Sequence, residues 1–192
     1  IIFTGAQGTG KTSVMDALPD SLHKIKGVTR KVITEKNLTI NEYSDNCSQK
    51  HIFDAYEHQL TVNDNYIAER GLIDVLAYSI SRMKANMCSP TLIETQFEHL
   101  IKFSIKNPDV VYIYFPIEFE IVSDGTRSID KEFQKEIDSI IYETLEELKT
   151  MYGTKFITVS GSVEERVKQI EKLLNWGFIY ETSFFIISYM GK

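Results

Sequence analysis

Residues 5–12 read Gly5-Ala6-Gln7-Gly8-Thr9-Gly10-Lys11-Thr12, the pattern G-x-x-x-x-G-K-T in full. Glycines at these positions let the backbone curl so that successive N–H groups point inward at an anion. The loop opens a helix whose unpaired N-terminal donors and dipole also favour negative charge. Lys11 is placed to reach the β- and γ-phosphates of a nucleoside triphosphate, and the Thr12 hydroxyl to meet Mg²⁺. Ahead of the loop, Ile1-Ile2-Phe3 has the character of a short buried strand. A strand before and a helix after is the context that separates this motif from a chance match. Gly5, Gln7, Gly8, Thr9, Gly10, Lys11, Thr12 and the neighbouring Ser13 are therefore the expected nucleotide-binding set.

Working outward, the first helix should run from Lys11 to just before Pro19, because proline disfavours helical geometry in the residue ahead of it. His23–Val28 is expected to be a second strand, and the polar stretch 33–46 a long surface loop. Ile52, Phe53, Tyr56 and Leu60 recur at helical spacing, giving a helix over about Ser48–Asn63. Tyr66-Ile67-Ala68 reads as a brief strand ending at Glu69-Arg70. Leu72, Val75, Leu76, Ile80 and Met83 mark a helix, and Ser89-Pro90 opens another that stops before Pro108. Val110–Phe115 is the strongest strand signal, a continuous β-branched and aromatic run. A loop containing Asp124-Gly125-Thr126-Arg127 follows, then a long helix carrying Ile129, Phe133, Ile137, Ile141, Leu145 and Leu148. Phe156–Val159 is a last strand, and Ser162 with Glu165 forms a capping box for a helix to about Leu174. Strands separated by helices throughout imply an α/β fold, a P-loop NTPase of three α/β/α layers around a parallel sheet of about five strands.

The 192 residues show no linker, repeat or low-complexity tract and read as a single domain over 1–192. Hydrophobic residues at 43% and charged ones at 25% are ordinary for a soluble globular protein. With no apolar run of bilayer length and no signal-peptide pattern, a cytoplasmic protein without a membrane partner is expected. Cys47 and Cys88 lie far apart and have no CxxC neighbour, so they read as two reduced thiols. A net charge of −6 with scattered Lys and Arg weighs against a nucleic-acid substrate. The chain starts inside a strand and without a methionine, so residues upstream are expected. The tail 176–192 is apolar at Phe184, Phe185, Ile186 and Ile187 and should pack as an added element or meet a partner.

A bound triphosphate does not state its use. The N-K-x-D motif of a switch GTPase does not occur here, and the strand Val110–Phe115 runs into Pro116 instead of the Asp-Glu of a motor ATPase. Glu69-Arg70 does fall at a strand C-terminus, where parallel sheets place their ligands. There a carboxylate can hold Mg²⁺ and a guanidinium can clamp a phosphoryl oxygen. A surface ion pair would put the same two residue types at a strand end. Arg127 can reach the transferring group if its loop closes over the nucleotide, and is otherwise a solvated loop arginine. Arg30, following the expected second strand, falls on the acceptor side. Asn41, Asp45 and Gln49 have polar chemistry suited to a sugar and a base, although each alone is an ordinary loop residue. His23, His51, His58 and His99 show no metal-ligand spacing.

GAQGTGKT, then VTR, a loop with INE, a helix opening with SQ, and ERGLIDVLAY together resemble a P-loop kinase family. This is the AAA-like ATPase/kinase group related to nicotinamide-riboside kinases, many of whose members are encoded by bacteriophages. DGTRSIDKEF resembles the group's lid, here about 122–132. The resemblance covers residue 1 to about 150, and implies a nucleoside-monophosphate-kinase-like fold, in a host cytoplasm if phage-encoded. It implies that Lys11 and Thr12 serve the phosphates of ATP and Mg²⁺. By the same resemblance Arg30 holds the acceptor's phosphate, as the arginine after the second strand does in thymidylate kinases. Glu69-Arg70 resembles their Asp-Arg pair and the Glu-Arg pair of deoxynucleoside kinases, Arg127 resembles the lid arginine, and Asp74 and Gln49 match positions near the acceptor. Two departures stand out: Glu69 where aspartate is common, and Gly71 where deoxynucleoside kinases often have serine.

The resulting expectation is phosphoryl transfer from ATP, with Mg²⁺, to a small nucleotide-type acceptor, foremost a (deoxy)nucleoside monophosphate. Lys11, Glu69, Arg70 and Arg127 form the catalytic set, Thr12 and Glu69 the metal set, and Arg30, Asn41, Gln49 and Asp74 the acceptor set. A nucleoside or nicotinamide-riboside kinase is the alternative, with Glu35 or Glu69 as a base. A nucleotide-sensing regulatory protein that docks through its tail is the reading from another class. A polynucleotide 5′-kinase is disfavoured by the acidic balance, and a homodimer is the one assembly left open.

Overall fold

The computed structural model describes residues 1–120 and 130–174. The chain alternates as β1 Ile2–Thr4, α1 Lys11–Ala17, β2 His23–Ile25, α2 Val28–Lys36, α3 Asn46–Val62, β3 Tyr66–Ala68, α4 Leu72–Lys84, α5 Pro90–Lys106, β4 Val111–Tyr114, α6 Lys131–Tyr152 and β5 Lys155–Thr158. A single 3-10 turn, Asn41–Tyr43, lies between α2 and α3. Residues 163–174 form a further helix, α7.

All strand pairs are parallel, in the order β2-β3-β1-β4-β5. Ile2 of the central strand pairs with Ala68 on one side and Tyr112 on the other. The chain leaves β1 between the two directions in which the sheet grows, the point where open α/β sheets bind ligands. Residues of alternating strand parity feed two cores. Ile2, Ala68, Tyr112 and Tyr114 pack under α2 to α6, through Val32, Tyr56, Leu76, Leu100 and Ile141 among others. Phe3, Ile67, Ile113 and Phe115 pack under α1 and α7, through Val14, Met15 and Ile170. The sheet is thus covered on both faces, which is why its strands read as unbroken apolar runs. The expected three-layer α/β/α fold with five parallel strands is present.

Two expectations are corrected near the second strand. β2 ends at Ile25 instead of Val28, because Gly27 turns the chain at φ 70° and starts α2 at Val28. Arg30 therefore stands in the first turn of a helix. α2 also takes residues 33–36 from the expected loop, since Val28 and Val32, one turn apart, are both buried. That packing overrides the weak helix propensity of β-branched residues. Asp45 is the N-cap of α3, accepting from Ser48 N at 2.8 Å, so its carboxylate is committed to the helix end. The expected capping box is formed: Ser162 N donates to Glu165 Oε2 at 2.7 Å and Glu165 N to Ser162 Oγ at 3.3 Å. Of the expected lid at 122–132, Asp130 caps α6 and Lys131 and Glu132 begin it. Arg127, Ile129 and the tail 176–192 lie outside the described residues. Among the described residues no helix is long and apolar enough to cross a membrane.

Candidate active site

β1 delivers the loop 5–10 directly to the sheet's ligand edge, and α1 carries it away. At Gly5 φ is 142° and an added Cβ would stand 2.4 Å from the Phe115 carbonyl oxygen, so the loop can leave the sheet only through glycine. Gly10, at φ 88°, is the left-handed N-cap of α1. Lys11 is 4% exposed. Its Nζ donates to Gly5 O and Ala6 O, both at 2.6 Å, and to Thr9 Oγ1 at 3.1 Å. Burial holds its pKa well below the ordinary lysine value; Arg70 adds to this, while Asp74, Glu69 and Asp138 oppose it.

β3 ends beside β1 and brings in Glu69 and Arg70. Glu69 Oε1 accepts from the Thr12 hydroxyl, and Oε2 from Gly27 N at 3.3 Å. Two residues expected to share a metal, 57 positions apart in the chain, are thus in contact. Their oxygens are the hard donors Mg²⁺ takes. Among the described residues no group of three or more His, Cys, Asp or Glu side chains could hold a metal ion, so this set fits only a cation that also takes phosphate or water ligands. Arg70 Nη1 donates to Asp74 Oδ1 at 3.4 Å.

A cavity of about 370 Å³ runs from the loop 5–12 to a wall built by α2, the 3-10 turn and α3. Residues 7–13, Glu69, Arg70 and Asp74 line one part of it, and Arg30, Asn41 and Gln49 the other. Of the expected site residues within the described residues, Gly5, Asp45 and the candidate base Glu35 do not line this cavity; the others do. Ile33, Ile52, Tyr56 and Val75 supply its apolar surface. The Gln49 carboxamide is held at both ends: Nε2 donates to Ser44 Oγ at 2.6 Å, and Oε1 accepts from Ser79 Oγ at 3.4 Å. Tyr56 Oη stands 3.2 Å from Thr29 Oγ1, and burial pushes its phenol up to about 12.

Asp74 is 1% exposed, and its oxygens are occupied from the protein side. Oδ1 accepts from Gly5 N at 3.3 Å as well as from Arg70, and Oδ2 accepts from Gly71 N at 3.0 Å. Burial raises its pKa, and Arg70 and Lys11 pull it back.

Three further side chains hold the loop and a fourth, Asp138, acts on Lys11 through its charge; sequence reading assigned none of them to it. Tyr78 Oη donates to Gln7 Oε1 at 2.8 Å, and Gln134 Nε2 to Gln7 O at 2.6 Å. Asp138, which accepts from Tyr114 Oη at 2.9 Å, has its pKa raised by burial and opposed by the Lys11 charge. Arg166, fully buried, donates from Nη1 to Thr9 O and from Nη2 to Glu118 Oε2, both at 2.6 Å. Their signal was present in the periodicity. Gln134 and Asp138 flank Ile137 on the apolar stripe of α6, and Arg166 stands between Val163 and Ile170 on that of α7. A polar residue kept on a buried stripe needs a polar partner, and for Gln134 and Arg166 the partner is the loop, for Asp138 Tyr114.

The model of a family described as an AAA domain matches residues 1–166. No curated protein matches the chain. Among solved structures, deoxyadenosine kinase from M. mycoides with the products dCMP and dCDP bound has a TM-score of 0.62 at 18% identity, covering 91% of this chain and 97% of that one. The same kinase with dATP gives 0.60 at 17%, covering 91% and 98%. The YorR protein of Bacillus subtilis, in complex with phosphorylated GDP, gives 0.57 at 14%, covering 92% and 96%. At these identities the likeness is one of fold.

Proposed function

Since the chain belongs to this AAA-domain family, we propose that it transfers the γ-phosphoryl group of ATP to a small nucleotide-type acceptor, most specifically a (deoxy)nucleoside monophosphate. The observation that carries this reading is the single cavity joining residues 7–13 to the wall with Arg30, Asn41 and Gln49. It gives a donor and an acceptor adjoining places in one enclosure. Its volume suits a nucleotide-sized ligand.

The charges around the cavity favour an anionic acceptor. Lys26, Arg30 and Arg70 line it. Of its carboxylates, Asp16 is 2.7 Å from Lys26, Asp74 is engaged by the loop, and Glu69 is bonded to Thr12 and Gly27. Glu35, considered as a base for a hydroxyl acceptor, stands on the outer side of α2, 4.0 Å from Lys31. A phosphate oxygen is already ionised near neutral pH and needs no base: it attacks the γ-phosphorus as the bond to the β-phosphate oxygen breaks. Lys11 would exchange its loop carbonyls for phosphate oxygens, and Arg70 would neutralise charge on the transferring group. Positioning and electrostatics then supply the catalysis. A Mg²⁺ ion held by Thr12 and Glu69 would supply further charge neutralisation on the phosphates. Arg127 would join from the segment outside the described residues.

A nucleoside acceptor is the second reading, supported by the Glu69 carboxylate, which faces the cavity and could take a hydroxyl proton. It also accords with the nucleoside-kinase name of the M. mycoides structure. Steady-state assays with ATP, Mg²⁺ and a panel of nucleosides and monophosphates separate the two. Turnover of monophosphates is expected, with Arg30→Ala raising their KM by about 10- to 100-fold, the loss of one hydrogen bond to a charged group. Turnover of nucleosides alone, or an unchanged KM in Arg30→Ala, would refute the monophosphate reading.

A further inference from the structure

The geometry points to Gln134 and Arg166 as positioning residues that aim the amides of Gly8 and Gly10 at the phosphates. In a trans peptide the carbonyl of one residue and the N–H of the next point in opposite directions. Gln134 takes the Gln7 carbonyl at 2.6 Å, which turns the Gly8 N–H away from α6. Arg166 takes the Thr9 carbonyl at 2.6 Å, which turns the Gly10 N–H away from α7. Gly8 and Gly10 line the cavity, whereas Gln134 and Arg166 stand outside it, 3% and 0% exposed. Both amides are therefore directed at the cavity by donors behind the loop. Glycine peptides rotate cheaply, so without such donors these two planes are the easiest in the loop to flip.

Arg166 is itself fixed. Glu118 accepts from Nη2, and the Glu118 carboxylate also accepts from Gly161 N at 2.8 Å. The rings of Phe115 and Phe119 lie 5.4 and 4.8 Å from the guanidinium carbon. Gln134 needs no such clamp because it rises from the second turn of a 22-residue helix. Neither side chain lines the cavity. Each acts through one peptide plane, and an anion site so pre-set need not reorganise when the nucleotide enters.

The inference rests on the reading of residues 5–12 as a triphosphate site, and the test separates the two. The probe is inorganic tripolyphosphate with Mg²⁺, which has no base or sugar, titrated calorimetrically into the wild-type chain, Gln134→Met and Gln134→Glu. Gln134→Met keeps length without a donor and is expected to bind about tenfold more weakly, the loss of one aimed amide. Gln134→Glu keeps the shape and cannot donate when ionised, but donates again once protonated. Its deficit relative to wild type is expected to vanish as pH falls from 8 to about 5.5 while that of Gln134→Met persists, because only the protonated acid donates again. Loss of charge alone would leave it no better than Gln134→Met. It also answers the question alone if Gln134→Met does not fold. Wild-type affinity in Gln134→Met, or a pH-independent deficit in Gln134→Glu, would overturn the positioning role alone. Failure of the wild-type chain to bind tripolyphosphate would overturn both this role and the site reading.

Discussion

Asp74 offers the sharpest quantitative test, because the family resemblance points it at the acceptor and the structure commits its oxygens elsewhere. Asp74→Asn preserves shape but offers one acceptor oxygen where the carboxylate has two. Gly5 N and Arg70 use one oxygen and Gly71 N the other, so a buried donor must face the new amide. An unpaired buried donor costs about 1–3 kcal/mol. Removing the charge also leaves Lys11 and Arg70 without this counterion. Against that, burial disfavours the Asp74 charge, so part of the loss is recovered when the group is neutral. A net destabilisation of about 2–3 kcal/mol is expected for Asp74→Asn, and about 3–5 kcal/mol for Asp74→Ala, which strands both cations. In a domain of this size 2–3 kcal/mol corresponds to a fall in Tm of roughly 4–12 °C. Urea denaturation with wild-type m-values checks the first figure, and nucleotide titrations should show ATP binding weakened, because Gly5 carries the loop. If Asp74→Asn kept its stability within about 0.5 kcal/mol and raised only the acceptor KM, the bracing role would be refuted.

Glu69→Gln, which keeps the contact with Thr12 but not the charge, should raise the Mg²⁺ concentration for half-maximal activity about 10- to 100-fold, measured at fixed ATP. Gly5→Ala drives a Cβ against the Phe115 carbonyl; a cost of about 1–3 kcal/mol is expected, together with loss of the thermal shift that ATP gives the wild type. Asp45→Ala removes the cap of α3 and should cost about 1 kcal/mol at pH 7. The Ser48 amide bond is the main cause holding the Asp45 pKa below its ordinary 3.8. A depressed folded-state pKa means that the stabilisation is present above 3.8 and is lost as pH falls through the folded value. The gap between wild type and Asp45→Ala should therefore be constant from pH 7 to 5 and close below pH 3.8, read by denaturation at each pH.

The loop half of the candidate site was legible in the sequence because its determinants are local. The loop, the strand before it and the helix after it fall within 18 consecutive residues, and each imposes a residue type. Glu69-Arg70 was legible for a related reason, a charged pair ending an apolar strand. The expected second strand overran to Val28 because that β-branched residue suits a strand; what ends the strand at Ile25 is the turn at Gly27, which starts a helix buried under α3. Asp45 illustrates the same limit in miniature, since a carboxylate suited to a ligand is equally suited to a helix end. Gln134 and Arg166 meet the loop from 127 and 157 residues away. Periodicity shows that they are buried polar residues, but only the three-dimensional packing shows which carbonyl each one takes.

The strand order has a consequence for how the molecule is made. β1 precedes the other described strands in the chain, yet it is the middle strand, and its neighbours are completed only at Ala68 and Tyr114. Both its edges are unpaired until Ala68 and one of them until Tyr114, a state prone to wrong association. The loop it carries waits longer still, for α6 and α7. At about 5–20 residues per second, that is a delay of roughly 8–30 seconds between synthesis of the motif and its completion. A ligand that favours the loop so braced would bind most tightly to chains finished to Arg166, so its affinity would report on the integrity of nearly the whole described polypeptide.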